Sequence, residues 1–118
     1  MNRKTRTVFL LFLVTVILPS LLVYAQMPGS PQRGKLYYEG HCASCHGLGG
    51  DGNGPAGSGL NPRPTNFKNA AVMSGLTDND LERAILIGKA NTAMRGYSTV
   101  LQPQDVRDLI AYLRSISK

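Results

Sequence analysis

The segment that most constrains this chain is Cys42-Ala43-Ser44-Cys45-His46, a C-x-x-C-H sequence. Two thiols three residues apart lie on the same side of one helical turn, so both can add to the two vinyl groups of one porphyrin. The adjacent His46 then lies under the iron as a proximal ligand. C-x-x-C-H is the attachment sequence of c-type haem. The segment therefore predicts one haem c, bound covalently through Cys42 and Cys45.

Three other uses of the cysteine pair have to be weighed. A thioredoxin-like C-x-x-C follows a strand, and no alternating apolar pattern precedes Cys42. A structural zinc ion needs four ligands, and His41, Cys42, Cys45 and His46 are too crowded for the usual tetrahedron. A plain disulfide is the third alternative, because paired cysteines outside the cytoplasm normally oxidise. We interpret His41 as an exposed polar residue at a helix end rather than a ligand.

The N-terminal segment has the three parts of a secretory signal. Residues 1–6 carry three basic side chains and no acid, and residues 8–23 are almost entirely apolar. Val23-Tyr24-Ala25 has the small-x-small pattern of a signal-peptide cleavage site. We predict a signal peptide over residues 1–25, a tether over 26–30, and a domain over 31–118. Pro19 favours cleavage after Ala25. The alternative is an uncleaved anchor, since the apolar run is close to the lower limit of the ~17–25 residues that span a bilayer. Either reading places the domain in the periplasm.

The net charge changes once the signal is set aside. The whole chain has 118 residues and a formal charge of +6. Without residues 1–25, 93 residues remain with ten basic and seven acidic side chains, a net charge of +3. The basic residues are scattered, so the charge does not predict nucleic-acid binding. Contact with a membrane is expected only if the N-terminal segment is uncleaved.

Three amphipathic or capped segments predict helices. The first begins after Ser30 at Pro31 and runs to Gly40, and the second follows Thr77 and stops at Gly88. The third begins at Pro103 or Gln104, with apolar residues at 106, 109, 110, 113 and 116. No strand pattern occurs. Seven glycines between residues 47 and 59 predict a long loop.

The length of the loops predicts that something other than protein fills the centre. About three helices in 93 residues bury a small core, and loops of more than ~12–15 residues are uncommon unless they are functional. We therefore predict an all-α fold of about three main helices, with long loops wrapped around one haem.

A haem with one histidine ligand needs a sixth ligand or keeps an open site. Met94 lies in the loop between the second and third predicted helices, far enough from His46 to reach the other face of the iron. Met73 could be ordinary packing, and Met27 lies in the tether. We predict Met94, with Met73 and an open site as the alternatives.

The chain from Arg33 to Ser117 resembles a class I monohaem cytochrome c of the bacterial periplasmic type. The resemblance is in the order of its motifs, which are Gly34-x-x-x-Tyr38, Cys42-x-x-Cys45-His46-Gly47, Gly52-x-Gly54-Pro55-Ala56, Pro62-x-Pro64-x-x-Phe67, Leu86-Ile87-Gly88 before Met94, and Leu109-Ile110-Ala111-Tyr112-Leu113. One residue departs from the pattern. The family commonly has proline directly after the ligand methionine, and this chain has Arg95.

The resemblance implies roles for particular residues. Cys42 and Cys45 would bind haem, and His46 and Met94 would be its axial ligands, so both would bind the iron. A carbonyl of Pro62 or Pro64 would accept the ring N–H of His46 and fix its tautomer. The terminal helices would cross where two pairs of residues pack together, Gly34 and Tyr38 against Leu109 and Tyr112.

The expected function is electron transfer rather than catalysis. The protein would be a free carrier or the haem subunit of a periplasmic oxidoreductase, and redox partner proteins would dock at the exposed haem edge beside Cys42. The alternative is a catalytic or ligand-sensing haem protein, with an open or labile sixth position near Arg95.

Overall fold

A computed structural model describes residues 2–24 and 27–118. Its helices are α1 (Arg3–Tyr24), α2 (Pro31–His41), α3 (Ala43–His46), α4 (Ala70–Ser74), α5 (Asp78–Ile87) and α6 (Pro103–Ile116). Within the described residues no strand is present, and one isolated antiparallel bridge pairs Gly88 with Arg95. The all-α prediction is confirmed. The predicted cleavage site after Ala25, and Gln26 at the start of the predicted tether, lie outside the described residues.

The helix α1 falls within the predicted signal segment, and the apolar side chains from Val8 to Val14 that it presents are exposed. No helix among the described residues is both long enough and apolar enough to cross a membrane.

The helix α2 begins where the sequence predicts. The hydroxyl of Ser30 accepts a hydrogen bond from the Arg33 backbone N–H at 3.4 Å, and Pro31 occupies the first helical position. Gly34 allows α2 to approach α6 closely, because a Cβ at this position would collide with the backbone oxygen of Asp108 on α6. Close contact of the two helices therefore depends on glycine at this position.

The helix α6 supplies most of the core. Val106, Leu109 and Leu113 are almost fully buried on the face that meets α2 and α5. The Tyr38 ring from α2 lies with its centroid 5.2 Å from that of Tyr112. The predicted crossing of the terminal helices is present, with Gly34 and Tyr38 against α6.

Residues next to its two ends determine where the helix α5 begins and stops. Thr77 and Asp80 form a capping box, in which the Thr77 hydroxyl accepts from the Asp80 N–H and the Asp80 carboxylate accepts from the Thr77 N–H. Gly88 ends the helix with φ +85° and ψ −171°, a conformation that only glycine adopts readily. The predicted start and stop are both confirmed.

A guanidinium group joins α6 to the segment before α5. Arg114 donates to the carbonyl oxygens of Met73 and Leu76 at 2.7 and 2.5 Å, and its Nη2 lies 2.8 Å from a carboxylate oxygen of Asp78. The short helix α4, which the sequence did not predict, is capped by Asn69. Arg114 thus fixes the end of α4 and the start of α5 against α6.

Candidate haem-binding site

A cavity of about 840 Å³ opens between α3, α5 and the segments around residues 62–65 and 92–95. Its volume falls within the ~300–1,000 Å³ typical of small-molecule and cofactor sites. The structure brings all six sequence-predicted site residues to its wall, namely Cys42, Cys45, His46, Pro62, Pro64 and Met94.

The cysteine-containing turn is helical, as the spacing of its thiols requires. Cys42 ends α2 by donating from its backbone N–H to Tyr38, and its own carbonyl accepts from the His46 N–H at 2.9 Å. Both thiols are free. Burial, with a smaller contribution from the neighbouring Cys45, raises the pKa of Cys42 to about 11. Redox-active cysteines need a lowered pKa, and a helix rather than a strand precedes this pair. Both observations disfavour a thioredoxin-like role.

His46 is held so that one ring nitrogen remains available. Its Nδ1 lies 3.1 Å from the carbonyl oxygen of Thr65. A carbonyl only accepts, so the proton is on Nδ1 and Nε2 keeps its lone pair for a metal. Burial lowers the pKa of His46, against the smaller opposing effect of the Thr65 bond, which favours the neutral ring. Phe67 stacks on this ring with centroids 4.5 Å apart.

The predicted acceptor for the His46 ring was wrong. Neither the Pro62 nor the Pro64 carbonyl receives the N–H, because the acceptor is the next residue, Thr65. The carbonyl of Pro64 is directed at Gly52, where an added Cβ would lie 2.6 Å from the oxygen. Both prolines still contribute to the cavity wall.

Met94 is presented by a hairpin-like turn after α5. Its backbone carbonyl accepts from the Lys89 N–H at 3.0 Å, and its N–H donates to the Thr92 hydroxyl at 3.1 Å. By contrast, Met73 is 1% exposed in the core and does not line the cavity. Met27 borders a separate cavity of about 350 Å³ near Arg107. Of the methionines that the structure describes, Met94 alone lines the larger cavity.

The glycine-rich loop packs against the cysteine turn. A Cβ at Gly54 or Gly57 would meet the backbone of Cys45, so the loop lies directly on that turn. The Gly52 N–H donates to the His46 carbonyl at 2.7 Å, and the Phe67 N–H donates to Gly50 at 2.7 Å. The loop therefore supports both His46 and the ring stacked on it.

Two features of the site were not predicted from the sequence. The first is Tyr97, which is 9% exposed and donates its hydroxyl to the carbonyl of His41 at 3.0 Å. His41 is itself exposed at the end of α2, as predicted.

The second unpredicted feature is the charge of the cavity wall. The exposed charged side chains in the wall are mainly cationic, comprising Arg63, Arg83, Lys89 and Arg95 with the single acid Asp80.

The residues present fit a haem. The cavity is large enough, two free thiols and an available imidazole nitrogen share its wall, and its cationic rim suits a ligand that carries carboxylates.

Comparison with solved structures finds similar chains of different sizes. A chain of the Kuenenia stuttgartiensis reducing HAO-like protein complex Kustc0457/Kustc0458 is 29% identical with a TM-score of 0.61, over 72% of this chain and 41% of that one. The present chain thus spans about two-fifths of that protein's length. Dihydro-heme d1 dehydrogenase NirN, in complex with DHE, is 28% identical with a TM-score of 0.55, over 70% of this chain and 16% of that one.

A smaller protein matches over nearly its whole length. The KustC0563 c-type cytochrome is 23% identical with a TM-score of 0.56, over 72% of this chain and 98% of that one. At that identity the likeness establishes the fold. Among curated proteins no match was found. The family model described as cytochrome c matches residues 31–117, which is most of the chain and all of the cavity wall. On this match, together with the helical fold, the chain belongs to the cytochrome c family of haem electron-transfer proteins.

Proposed function

We propose that this protein carries single electrons through one haem c, which Cys42 and Cys45 would bind covalently and whose iron His46 and Met94 would ligate. The observation that supports the proposal most directly is that these four residues share the wall of one cavity. Bound there, haem supplies an iron that alternates between Fe(II) and Fe(III).

Each of the four residues has a distinct task. Cys42 and Cys45 would hold the haem covalently through their free thiols, which share the cavity wall with His46. Thr65 holds the imidazole proton at Nδ1 and so directs Nε2 of His46 to the metal. Met94 would offer the iron a neutral thioether as its second protein ligand, a ligand type that raises the potential of a c-type haem.

The experiment is a ferric absorption spectrum of the holoprotein, wild type and Met94→Ala. We expect a methionine–iron charge-transfer band in the wild type and its loss in the variant. Met73→Leu is the matched control, because Met73 lies in the core and not in the cavity wall. This variant should keep the band. High-spin ferric haem in the wild type would instead favour the alternative, a catalytic or ligand-sensing protein in which Arg95 lies beside an open position.

We also propose export to the periplasm, with removal of residues 1–25. The support is the basic start and apolar run of residues 1–23 and the small residue at position 25. The test is the mass of the protein recovered from a periplasmic fraction. A species beginning at Gln26 supports cleavage, and a full-length species in the membrane fraction supports an uncleaved anchor. Recovery of the full-length chain from the cytoplasm contradicts both.

The partners that we propose are redox proteins that dock at the haem edge beside Cys42. Two of the similar solved structures belong to larger proteins, one a reducing HAO-like protein complex and the other a dehydrogenase. The protein would act as a free carrier or as a haem subunit of such an oxidoreductase, transferring electrons without itself being an enzyme. Cross-linking of the exported holoprotein followed by mass spectrometry tests this. Recovery of redox proteins supports the proposal, and recovery of none counts against it.

A further inference from the structure

The Met94 segment is attached to the rest of the protein in two directions. On one side it follows α5, where the Tyr97 and Ser98 N–H groups donate to Ile85 and Leu86 at 2.9 and 3.2 Å. On the other side, the Tyr97 hydroxyl donates to His41 across 56 residues of sequence. Among the hydrogen bonds of the described residues, this is the one that joins the segment to the end of α2.

The position of the acceptor gives this hydrogen bond its importance. His41 directly precedes Cys42, so its carbonyl lies at the start of the cysteine turn. The ring centroids of Tyr97 and His41 are 5.7 Å apart, which adds a packing contact to the hydrogen bond. One side chain therefore connects the segment that carries Met94 to the segment that carries Cys42 and His46.

Arg95 also contacts the Tyr97 ring. Its guanidinium carbon lies 5.2 Å from the Tyr97 ring centroid, within the range of a cation–π contact. Arg95 is also the residue that stands where the family commonly has proline. Proline would stiffen this position through its fixed φ, whereas Arg95 restrains it through contact with Tyr97.

We propose that Tyr97 is a positioning residue that holds Met94 within reach of the iron, and that the stacked Arg95 locks the Tyr97 ring in place. The proposal rests on the proposed function, in which Met94 is the sixth ligand. Without the hydroxyl bond to His41, the Met94 segment would retain its attachment to α5 and could swing away from the cysteine turn. The Met94 thioether would then leave the iron more often.

The test is the rate at which imidazole displaces Met94 from the ferric holoprotein, followed as loss of the methionine–iron band. Tyr97→Phe removes only the hydroxyl, and we expect about five- to tenfold faster displacement from the loss of one part-buried hydrogen bond. Arg95→Gln should accelerate it about two- to fivefold, the size of an exposed cation–π contact. Arg95→Lys keeps the cation but not the planar guanidinium, and should accelerate displacement less than Arg95→Gln.

The control separates positioning from general stability. Tyr37 is a second tyrosine, on α2, whose pKa is raised first by its interaction with Asp105 on α6 and by no group of the Met94 segment. We expect Tyr37→Phe to lower the urea midpoint of unfolding and leave the displacement rate unchanged. Equal acceleration in Tyr37→Phe and Tyr97→Phe would show that the Tyr97 effect is merely structural, and would overturn the proposal.

Amide hydrogen exchange provides a readout that does not depend on Met94 binding iron. Tyr97→Phe should speed exchange at the Lys89 and Tyr97 N–H groups. These groups donate to Met94 within the segment and to Ile85 on α5. A wild type without the methionine–iron band, but with faster exchange in Tyr97→Phe, would contradict the proposed ligand while showing that Tyr97 restrains the Met94 segment. An intact band with unchanged displacement and unchanged exchange would contradict the positioning role alone.

Discussion

Asp108 is a buried carboxylate on α6 that joins this helix to the start of α2. It is 1% exposed, and its two oxygens accept four hydrogen bonds. Arg33 donates from Nε at 2.7 Å and from Nη2 at 3.1 Å. The Ser30 backbone N–H donates at 2.7 Å, and the Gln104 side chain donates at 3.0 Å. The negative charge is tolerated because both oxygens accept hydrogen bonds, Oδ1 three and Oδ2 one.

These donors also set the pH range in which Asp108 stabilises the protein. Burial acts to raise the pKa of Asp108, but the hydrogen bonds from Arg33, Ser30 and Gln104 outweigh it and hold the pKa below its usual value. A carboxyl whose pKa is depressed on folding stabilises the protein above its unfolded pKa of about 3.9. That stabilisation is lost as the pH falls through the lower, folded pKa.

Substitution of Asp108 by asparagine isolates this contribution. The amide NH₂ replaces one accepting oxygen and directs a donor at groups that are themselves donors. With the NH₂ in the place of Oδ2, the bond from Arg33 Nε is lost and the three bonds to Oδ1 lose their charge assistance. A hydrogen bond to a charged group is worth about 1.5–3 kcal/mol. The Arg33 part is discounted because that side chain is 52% exposed and screened by water. We expect the free energy of unfolding to fall by about 2–3 kcal/mol at neutral pH.

The assay is urea unfolding of the holoprotein at a series of pH values, followed by circular dichroism. The stability difference between wild type and Asp108→Asn should shrink below about pH 4. There the wild-type carboxyl becomes protonated and, like the asparagine, carries no charge. Glu39→Gln is the control, since Glu39 forms a surface pair with Lys35 at 3.7 Å. It should cost at most about 0.5 kcal/mol. A difference for Asp108→Asn that is independent of pH, or no larger than that of the control, refutes the reasoning.

Two glycine substitutions test other close approaches. Gly34→Ala places a methyl group against the Asp108 carbonyl and should cost about 1–3 kcal/mol in urea unfolding, whereas Gly40→Ala on the same helix meets no neighbour and should be neutral or stabilising. Gly88→Ala forces alanine to φ +85° and against the Met94 carbonyl, a strain of about 1–3 kcal/mol. The methionine–iron band should then disappear at a lower urea concentration than the helical signal. Simultaneous loss of both signals would contradict this local effect.

The features that could be predicted from sequence depend on neighbours within a few residues. The Ser30 hydroxyl caps α2 through a residue three positions on, and Thr77 and Asp80 cap α5 over the same interval. The positive-φ backbone that ends α5 at Gly88 is equally local. C-x-x-C-H belongs to the same class, because one helical turn contains the whole motif. Such features depend on residues close in sequence and can be predicted without knowing how the rest of the chain packs.

The acceptor of the His46 ring N–H, which was predicted at Pro62 or Pro64, could not be identified from neighbouring residues alone. Proline fixes its own φ, but it does not determine which nearby carbonyl will face a histidine sixteen to eighteen residues earlier. That depends on how the segment lies against the glycine-rich loop. Here the Pro64 oxygen lies against Gly52, and the Thr65 oxygen accepts from His46. The short helix α4 escaped prediction for a related reason, since five residues contain too little periodicity to be detected.

The choice between Met94 and Met73 rested in the sequence on chain position alone, whereas the structure distinguishes them by what surrounds each residue. Met73 is buried in the core and its carbonyl accepts from Arg114, so it lies where the packing of α4 and α6 requires it. Met94 is half-buried in the cavity wall, on a segment that Tyr97 joins to His41. Truncating Met73 should therefore change the free energy of unfolding more than the spectrum, and truncating Met94 the reverse. This division of effects follows from contacts between residues more than forty positions apart, a relation that neither methionine's sequence neighbours could reveal.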